Sequence, residues 1–209
     1  MAIKHRLAGK KLIVVVPQLV VNFKNEPFQM DELYKLMREF LVEERWEGER
    51  GSVGDDASFP EDYYLQKVNP QLGREIWWRW RLMKAPFSGK TKFWKFLLDI
   101  DAHALWVKQV EVTIKDKKVK ADLGEIEIQF NAYLQYDADK TWEKSSWLQP
   151  FLNLWVNRFK MKERNELKKQ LRNDVYRFQE LIKNFFQLQL FLPEKEFEAF
   201  YPKKTPEVQ

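Results

Sequence analysis

The stretch EIWWRWRLMK, from Glu75 to Lys84, alternates between two kinds of side chain at every second position. In a β-strand successive side chains point to opposite faces of the sheet, so such a stretch separates into two sets. The apolar set consists of Ile76, Trp78, Trp80 and Leu82. The opposite set consists of Trp77, Arg79, Arg81 and Met83. The sequence therefore predicts a strand with Trp78 and Trp80 in the core, and leaves open what Trp77 and the two arginines do.

The same period of two extends through most of the region from 61 to 137. It is clear in residues 92–104, 110–114 and 126–136, and a polar tip, KDKKVKADLG, separates the last two stretches. One face is apolar throughout and the other polar, which is typical of an antiparallel meander covered on one side only. A first strand, rich in valine, is predicted at 11–23.

Helical spacing appears on both sides of this region. A first helix is predicted at about 31–45, followed by a loop at 47–60. A helix within 145–159 has an apolar stripe formed by Leu148, Phe151, Leu152, Trp155 and Phe159. A longer helix, about 162–190, has a stripe formed by Leu167, Leu171, Val175, Phe178, Ile182, Phe185 and Leu188. We predict an α+β fold in which an antiparallel β-meander is packed on one face by this long C-terminal helix. Residues 1–190 form one domain and 191–209 an irregular tail.

Composition restricts the classes of function. With 44% hydrophobic and 32% charged residues among 209, the chain belongs to the folded class. The absence of cysteine excludes disulfides, thiolate metal sites and thiol catalysis, and agrees with a cytoplasmic location. The uncharged run from Leu12 to Phe23 is much shorter than the roughly 20 residues that span a bilayer, so it predicts a buried strand and no transmembrane segment.

Motifs for enzyme chemistry are sparse. The sequence has neither a glycine-rich dinucleotide fingerprint nor a nucleophile elbow, and SGKT at 88–91 lacks the upstream glycine of a phosphate-binding loop. We therefore predict no cofactor and do not favour an enzyme. One constellation remains, because Asp99, Asp101 and His103 share one strand face at steps of about 7 Å. Two carboxylates and an imidazole suit a divalent metal; the alternative is the solvated face of a half-buried strand.

Positive charge is better organised than these motifs. The chain has a net charge of +5, and basic residues concentrate in one stretch formed by Arg158, Lys160, Lys162, Arg164, Lys168, Lys169 and Arg172. Further clusters are Lys115, Lys117, Lys118 and Lys120 at the polar tip, and Lys4, Arg6, Lys10 and Lys11 at the N-terminus. Phosphate backbones attract such clusters, and Trp77, Arg79 and Arg81 on an exposed face would stack bases. The alternative is that hairpin tips and helix ends collect lysine for solubility and edge protection.

The order of elements is similar to the helix-grip fold of START-like lipid-binding domains. That resemblance implies a curved sheet wrapped around the last helix, with an apolar cavity between them unless aromatic bulk fills it. A membrane-surface function would use the same basic, aromatic residues, but the narrow stripe of the long helix favours packing on a sheet.

The second half also resembles a set of uncharacterised archaeal proteins of similar length, through GEIEIQFNAYLQYD, WEKSSWLQPFLNLW and NDVYRFQELIKNFF. This resemblance implies an archaeal cytoplasmic protein and assigns no activity.

Three hypotheses about function follow from the sequence. The first is a non-enzymatic binding module that holds a hydrophobic molecule or a protein partner between sheet and long helix. The second is an RNA- or ribosome-associated factor, for which the basic clusters and the Trp77 face must lie on one side. The third is a metal-dependent enzyme on the Asp99 strand face.

Overall fold

The computed structural model describes residues 11–48, 61–86, 92–114 and 117–191. Within them the predicted α+β fold is confirmed, with six strands in one antiparallel sheet. The strands are β1 (Leu12–Phe28), β2 (Glu47–Gly48), β3 (Glu61–Asn69), β4 (Gly73–Lys84), β5 (Trp94–Ile114) and β6 (Lys117–Tyr136). The sheet order is β1-β6-β5-β4, and both β2 and β3 pair with the outer edge of β4.

Two helices lie on the apolar face of this sheet. Helix α1 (Met30–Glu43) follows β1, and helix α2 (Met161–Phe191) ends the described chain. At about 1.5 Å per residue, the 31 residues of α2 are roughly 46 Å long. Between β6 and α2 the chain forms a short composite helical segment with a 3-10 turn (Gln149–Phe151), an α turn (Leu152–Leu154) and a π turn (Trp155–Phe159).

The core is dominated by aromatic rings that fill the space between the sheet and α2. Trp78 and Trp80 are 1% and 0% exposed, as their alternation predicts. Phe178 of α2 has its ring centroid 5.4 Å from that of Phe130 on β6. At the far end of the helix, Phe186 stacks on Phe23 of β1 at 3.7 Å. Aromatic side chains therefore supply much of the packing volume along the long helix.

Two sequence-based boundaries were wrong. The polar tip predicted at 115–124 continues instead as strand from Lys117 onward, because Ile114 pairs with Lys117 and the ladder runs without a break to Lys108 and Leu123. The predicted loop at 47–60 begins with the short strand β2, and its residues 49–60 lie outside the described part of the chain. A lysine-rich stretch with few apolar residues resembles a loop in sequence, although each residue from Lys117 to Leu123 has a cross-strand partner on β5.

Only part of the stripe predicted for 145–159 packs on the core, where Trp155 is half-buried. Of its five members only Leu152 is buried, together with Val156, which the stripe omitted. Phe151 and Phe159 are 53% and 69% exposed. The prediction was wrong because it assumed one regular helix, whereas the 3-10, α and π turns have different angular steps between residues.

A bulge in the middle of β5 requires glycine on both neighbouring strands. The pairing with β6 skips from Leu105 to Lys108, and Trp106 has a φ of 54°. A Cβ atom on Gly124 of β6 would lie 2.7 Å from the Leu105 carbonyl oxygen. On β4, Gly73 has a φ of +104°, and a Cβ there would lie 2.8 Å from the Val107 carbonyl oxygen. The extra residue of the bulge thus lies against two positions that admit no side chain.

The Gly124→Ala variant is expected to lower the free energy of unfolding by about 1–3 kcal/mol, because the added methyl group must displace backbone in the centre of the sheet. Urea unfolding followed by circular dichroism measures this change. The control is Glu127→Ala, at an exposed position of the same strand, for which a change within about 0.5 kcal/mol is expected. Equal stability of Gly124→Ala and the wild-type protein would contradict the tight approach at the bulge.

No helix within the described ranges is both long enough and apolar enough to cross a lipid bilayer.

Candidate functional site

The polar sheet face that contains Trp77, Arg79 and Arg81 is an ion-pair network. Arg81 is only 5% exposed, so the expectation that it lies on an exposed face was wrong. Its Nη1 donates to the carbonyl oxygens of Trp80 and Ile100, and its Nη2 donates to Asp101 Oδ1 at 2.6 Å. Its Nε lies 3.9 Å from Oδ1 of Asp99, which is fully buried. The burial follows from register, because Arg81 is directly opposite Asp99 at the centre of the sheet.

The remaining members of this face also have neighbours. Arg79 Nε lies 3.4 Å from Asp101 Oδ1, and its guanidinium lies over the Tyr63 ring. The Trp77 ring stacks on His103 at 4.7 Å, and the Lys67 ammonium lies 5.2 Å from the Trp77 ring centroid. Base stacking on Trp77 would have to displace one of these two contacts.

The metal hypothesis gains no geometric support. Asp99, Asp101 and His103 do share one sheet face, but Asp101 is bound to both arginines and His103 Nε2 lies 3.0 Å from Glu75 Oε1. Within the residues that the structure describes, no group of three or more histidine, cysteine, aspartate or glutamate side chains is arranged to hold a metal ion. The arginine charges occupy the place that a cation would take.

The basic clusters point in different directions. The exposed basic residues on the described part of α2 include Lys162, Lys169 and Arg172, which lie away from its buried stripe and hence away from the sheet. Lys160 pairs with Glu163, Arg164 donates to Asn157, and Lys168 is partly buried. The Trp77 face lies on the opposite side of the sheet. Among the described residues, the basic side chains of α2 and the Trp77 face therefore do not form one surface.

The two other clusters lie elsewhere. On the β5–β6 hairpin, Lys118 and Lys120 are exposed, and Lys118 lies 3.6 Å from Glu111. Lys117 is the first residue of β6, with a side chain outside the described set, and Lys115 lies outside the described residues. So do Lys4, Arg6 and Lys10, whereas Lys11 forms a 2.7 Å ion pair with Asp137.

A pocket of about 470 Å³ lies between the first turns of α1 and strands β3 and β4. Its floor is apolar and comes from Ile76 and Trp78, both buried. Tyr34 of α1 forms one wall and packs its ring edge-on against Trp78 at 6.2 Å. The polar and mixed part of the lining consists of Met30, Asp31, Lys35, Tyr64, Gln66 and Arg74.

Asp122 of β6 fixes one end of this pocket. Its Oδ2 accepts a hydrogen bond of 3.3 Å from the backbone N–H of Met30, where α1 begins. Its Oδ1 accepts a 2.5 Å bond from Arg74 Nη2. One carboxylate therefore holds both the helix start and the guanidinium at the pocket edge, although it does not line the pocket itself. The negative charge of Asp122 offsets the positive charge of Arg74. The pocket therefore has a rim with both polar and charged groups around an apolar floor.

Sequence reasoning missed this pocket. Tyr64 of β3 pairs with Trp78, and Gln66 pairs with Ile76, so both β3 residues lie on the same sheet face as their partners. In sequence they resemble the polar end of an edge strand, and both are exposed. The signal in the sequence was the two-residue spacing of Tyr64 and Gln66, which puts both side chains on one face of the strand. The pocket exists because α1 covers Trp78 and Trp80 through Tyr34 but leaves β3 uncovered.

Comparison with protein-family models, with curated proteins and with solved structures found no match to this chain.

Proposed function

We propose that the protein is a non-enzymatic binding module whose pocket between α1 and strands β3 and β4 holds a small, flat, apolar molecule with a polar end. The pocket is the observation that supports this proposal. Its volume of about 470 Å³ lies within the range of small-molecule sites, roughly 300–1,000 Å³. Its composition is also typical, since an apolar, aromatic floor is combined with a few polar groups.

The pocket lining favours a ligand with one apolar end and one polar end. The indole of Trp78 and the side chain of Ile76 favour a flat hydrocarbon or aromatic body. Hydrogen-bonding groups lie at the rim, where the Tyr64 hydroxyl donates to Gln66 Oε1 at 3.2 Å and Arg74 keeps further N–H donors. The ligand thus lies beside the short helix α1, because aromatic rings occupy the space beside the long helix α2.

The nucleic-acid alternative receives less support from the geometry. The basic residues of α2 and the Trp77 face lie on opposite sides of the sheet, and Arg81 is buried in ion pairs.

Fluorescence titration with anilinonaphthalene sulfonate, a flat apolar dye with one anionic end, tests the pocket. The wild-type protein is expected to bind the dye at one site. The Gln66→Trp variant places an indole at the pocket opening and is expected to weaken binding at least about tenfold. The matched control is Lys67→Trp, one position along β3, where the side chain points to the opposite sheet face.

A second control separates the pocket from other apolar surface. The dye also adheres to exposed hydrophobic side chains, and Trp147 is 78% exposed far from the pocket lining. The Trp147→Ser variant is therefore expected to keep the pocket affinity. If Gln66→Trp binds the dye as tightly as Lys67→Trp does, the pocket is not the binding site and the proposal fails.

A further inference from the structure

The segment between β6 and α2 exposes a dense group of large apolar side chains. Between positions 147 and 161, five of them are exposed, at 78%, 53%, 51%, 69% and 46%; they are Trp147, Phe151, Leu154, Phe159 and Met161. Other exposed hydrophobic residues are scattered over the strands, the β3–β4 turn and both helices, as on ordinary protein surfaces. Such a concentration of exposed apolar side chains within one short segment is typical of an interaction surface.

The rings of this group form a ridge. Trp147 contacts Phe151 with 6.3 Å between centroids, and Trp155 stacks on Phe159 at 5.3 Å. Trp142 and Trp155, with centroids 5.6 Å apart, are half-buried against the core and form the base of this group. We call the set of Trp142, Trp147, Phe151, Leu154, Trp155 and Phe159 the aromatic ridge.

Two buried residues and the half-buried Trp142 and Trp155 attach this segment to the core. Leu152 and Val156 are 3% and 2% exposed and attach the segment to the fold, so the opposite side of the turns projects into solvent. The π turn from Trp155 to Phe159 keeps those two rings stacked on one flank. Single π turns are rare and are found frequently at functional sites.

Positive charge surrounds the ridge. Between positions 140 and 164 the chain has six basic residues against two acidic ones, Glu143 and Glu163. Glu163 is neutralised by Lys160 at 2.7 Å, whereas Lys140, Lys144, Arg158 and Lys162 are exposed. A complementary partner therefore carries negative groups directly beside a hydrocarbon phase.

We propose that the aromatic ridge docks on an anionic lipid membrane surface. Tryptophan and phenylalanine insert at the level of the headgroups, and flanking lysine and arginine side chains pair with anionic lipids. Exposed rings beside exposed cations suit the surface of an anionic bilayer, where hydrocarbon and negative headgroups lie next to each other. This proposal uses residues that do not line the pocket and does not depend on it.

Vesicle flotation tests the proposal with the full chain. The protein is expected to float with vesicles of phosphatidylcholine and phosphatidylserine, and less with phosphatidylcholine alone. The double variant Trp147→Ser/Phe159→Ser is expected to lose at least about tenfold in partitioning, because two rings no longer leave water. Arg158→Glu/Lys162→Glu is expected to abolish the preference for anionic vesicles. Tyr176→Ser, an exposed aromatic of α2 outside the ridge, is the control and stays within about twofold of wild type.

Two outcomes would overturn the proposal. The first is equal flotation of the ridge variant and the Tyr176→Ser control. The second is a wild-type dimer in sedimentation velocity that the ridge variant dissociates, in the absence of any vesicle binding, which would identify a second copy of the chain as the occupant. Both measurements are independent of dye binding in the pocket.

Discussion

Replacing Arg81 with methionine is expected to lower the free energy of unfolding by about 3–5 kcal/mol, which is among the largest effects of any single polar substitution. The guanidinium donates to two backbone carbonyls and to Asp101, and it lies beside the fully buried Asp99 carboxylate. Methionine fills much of the volume but leaves two carboxylates without that cation. Urea unfolding with linear extrapolation measures the change.

Two comparisons isolate the ionic part of this effect. Arg79→Met removes a cation that is 37% exposed, lies 3.4 Å from Asp101 Oδ1 and covers the Tyr63 ring, so a loss below about 1 kcal/mol is expected. The double variant Arg81→Met/Asp99→Asn removes the buried charge as well and is expected to recover part of the loss. The single variant Asp99→Asn gives the cost of that change in the wild-type background. If Asp99→Asn lowers the free energy of unfolding by the same amount in the Arg81→Met background, the two residues are not coupled.

Replacing Lys84 with methionine is expected to lower the free energy of unfolding by about 3 kcal/mol. Its ammonium is 5% exposed and joins three elements, since it contacts Glu44 after α1 at 3.2 Å and Asp174 of α2 at 3.1 Å. It also lies 5.5 Å from the Trp46 ring centroid. Lys95→Met on the neighbouring strand is the control, because Lys95 is half-buried and donates a weak hydrogen bond of 3.7 Å to Met83 Sδ, so a change within about 0.5 kcal/mol is expected.

The Lys84 effect depends on pH with a defined sign. Burial alone would raise the pKa of Glu44, but the hydrogen bond and charge of Lys84, with help from Arg177, lower that pKa below its usual range. A carboxyl whose pKa is lower in the folded state stabilises the fold above its unfolded pKa, about 4.3, and loses this contribution as the pH falls through the folded pKa. The stability difference between wild type and Lys84→Met is therefore expected to shrink as the pH falls below about 4. A constant difference from pH 7 to pH 3 would contradict the assignment.

The pocket and the aromatic ridge were beyond sequence reasoning for the same physical reason. Whether Tyr64 and Gln66 are covered depends on where α1 crosses the sheet, which Asp122 decides through a bond to the Met30 backbone 92 positions away. Whether Phe151 faces the core depends on the local helix type, and 3-10, α and π turns follow one another within a few residues. Hydrophobic periodicity contains neither piece of information.

What the sequence determined by itself is the set of elements and their core faces. Alternation at Glu75–Lys84 identified β4 and buried Trp78 and Trp80, and the spacing of Leu167, Leu171 and Val175 identified the long helix and its packing side. These properties are local, because side-chain direction repeats every 2 residues in a strand and about every 3.6 in a helix. Tertiary structure alone decided which charges meet. Arg81 is buried because the β4–β5 register sets it opposite Asp99, and a shift of one residue between the two strands would have placed Asp99 on the opposite face from Arg81.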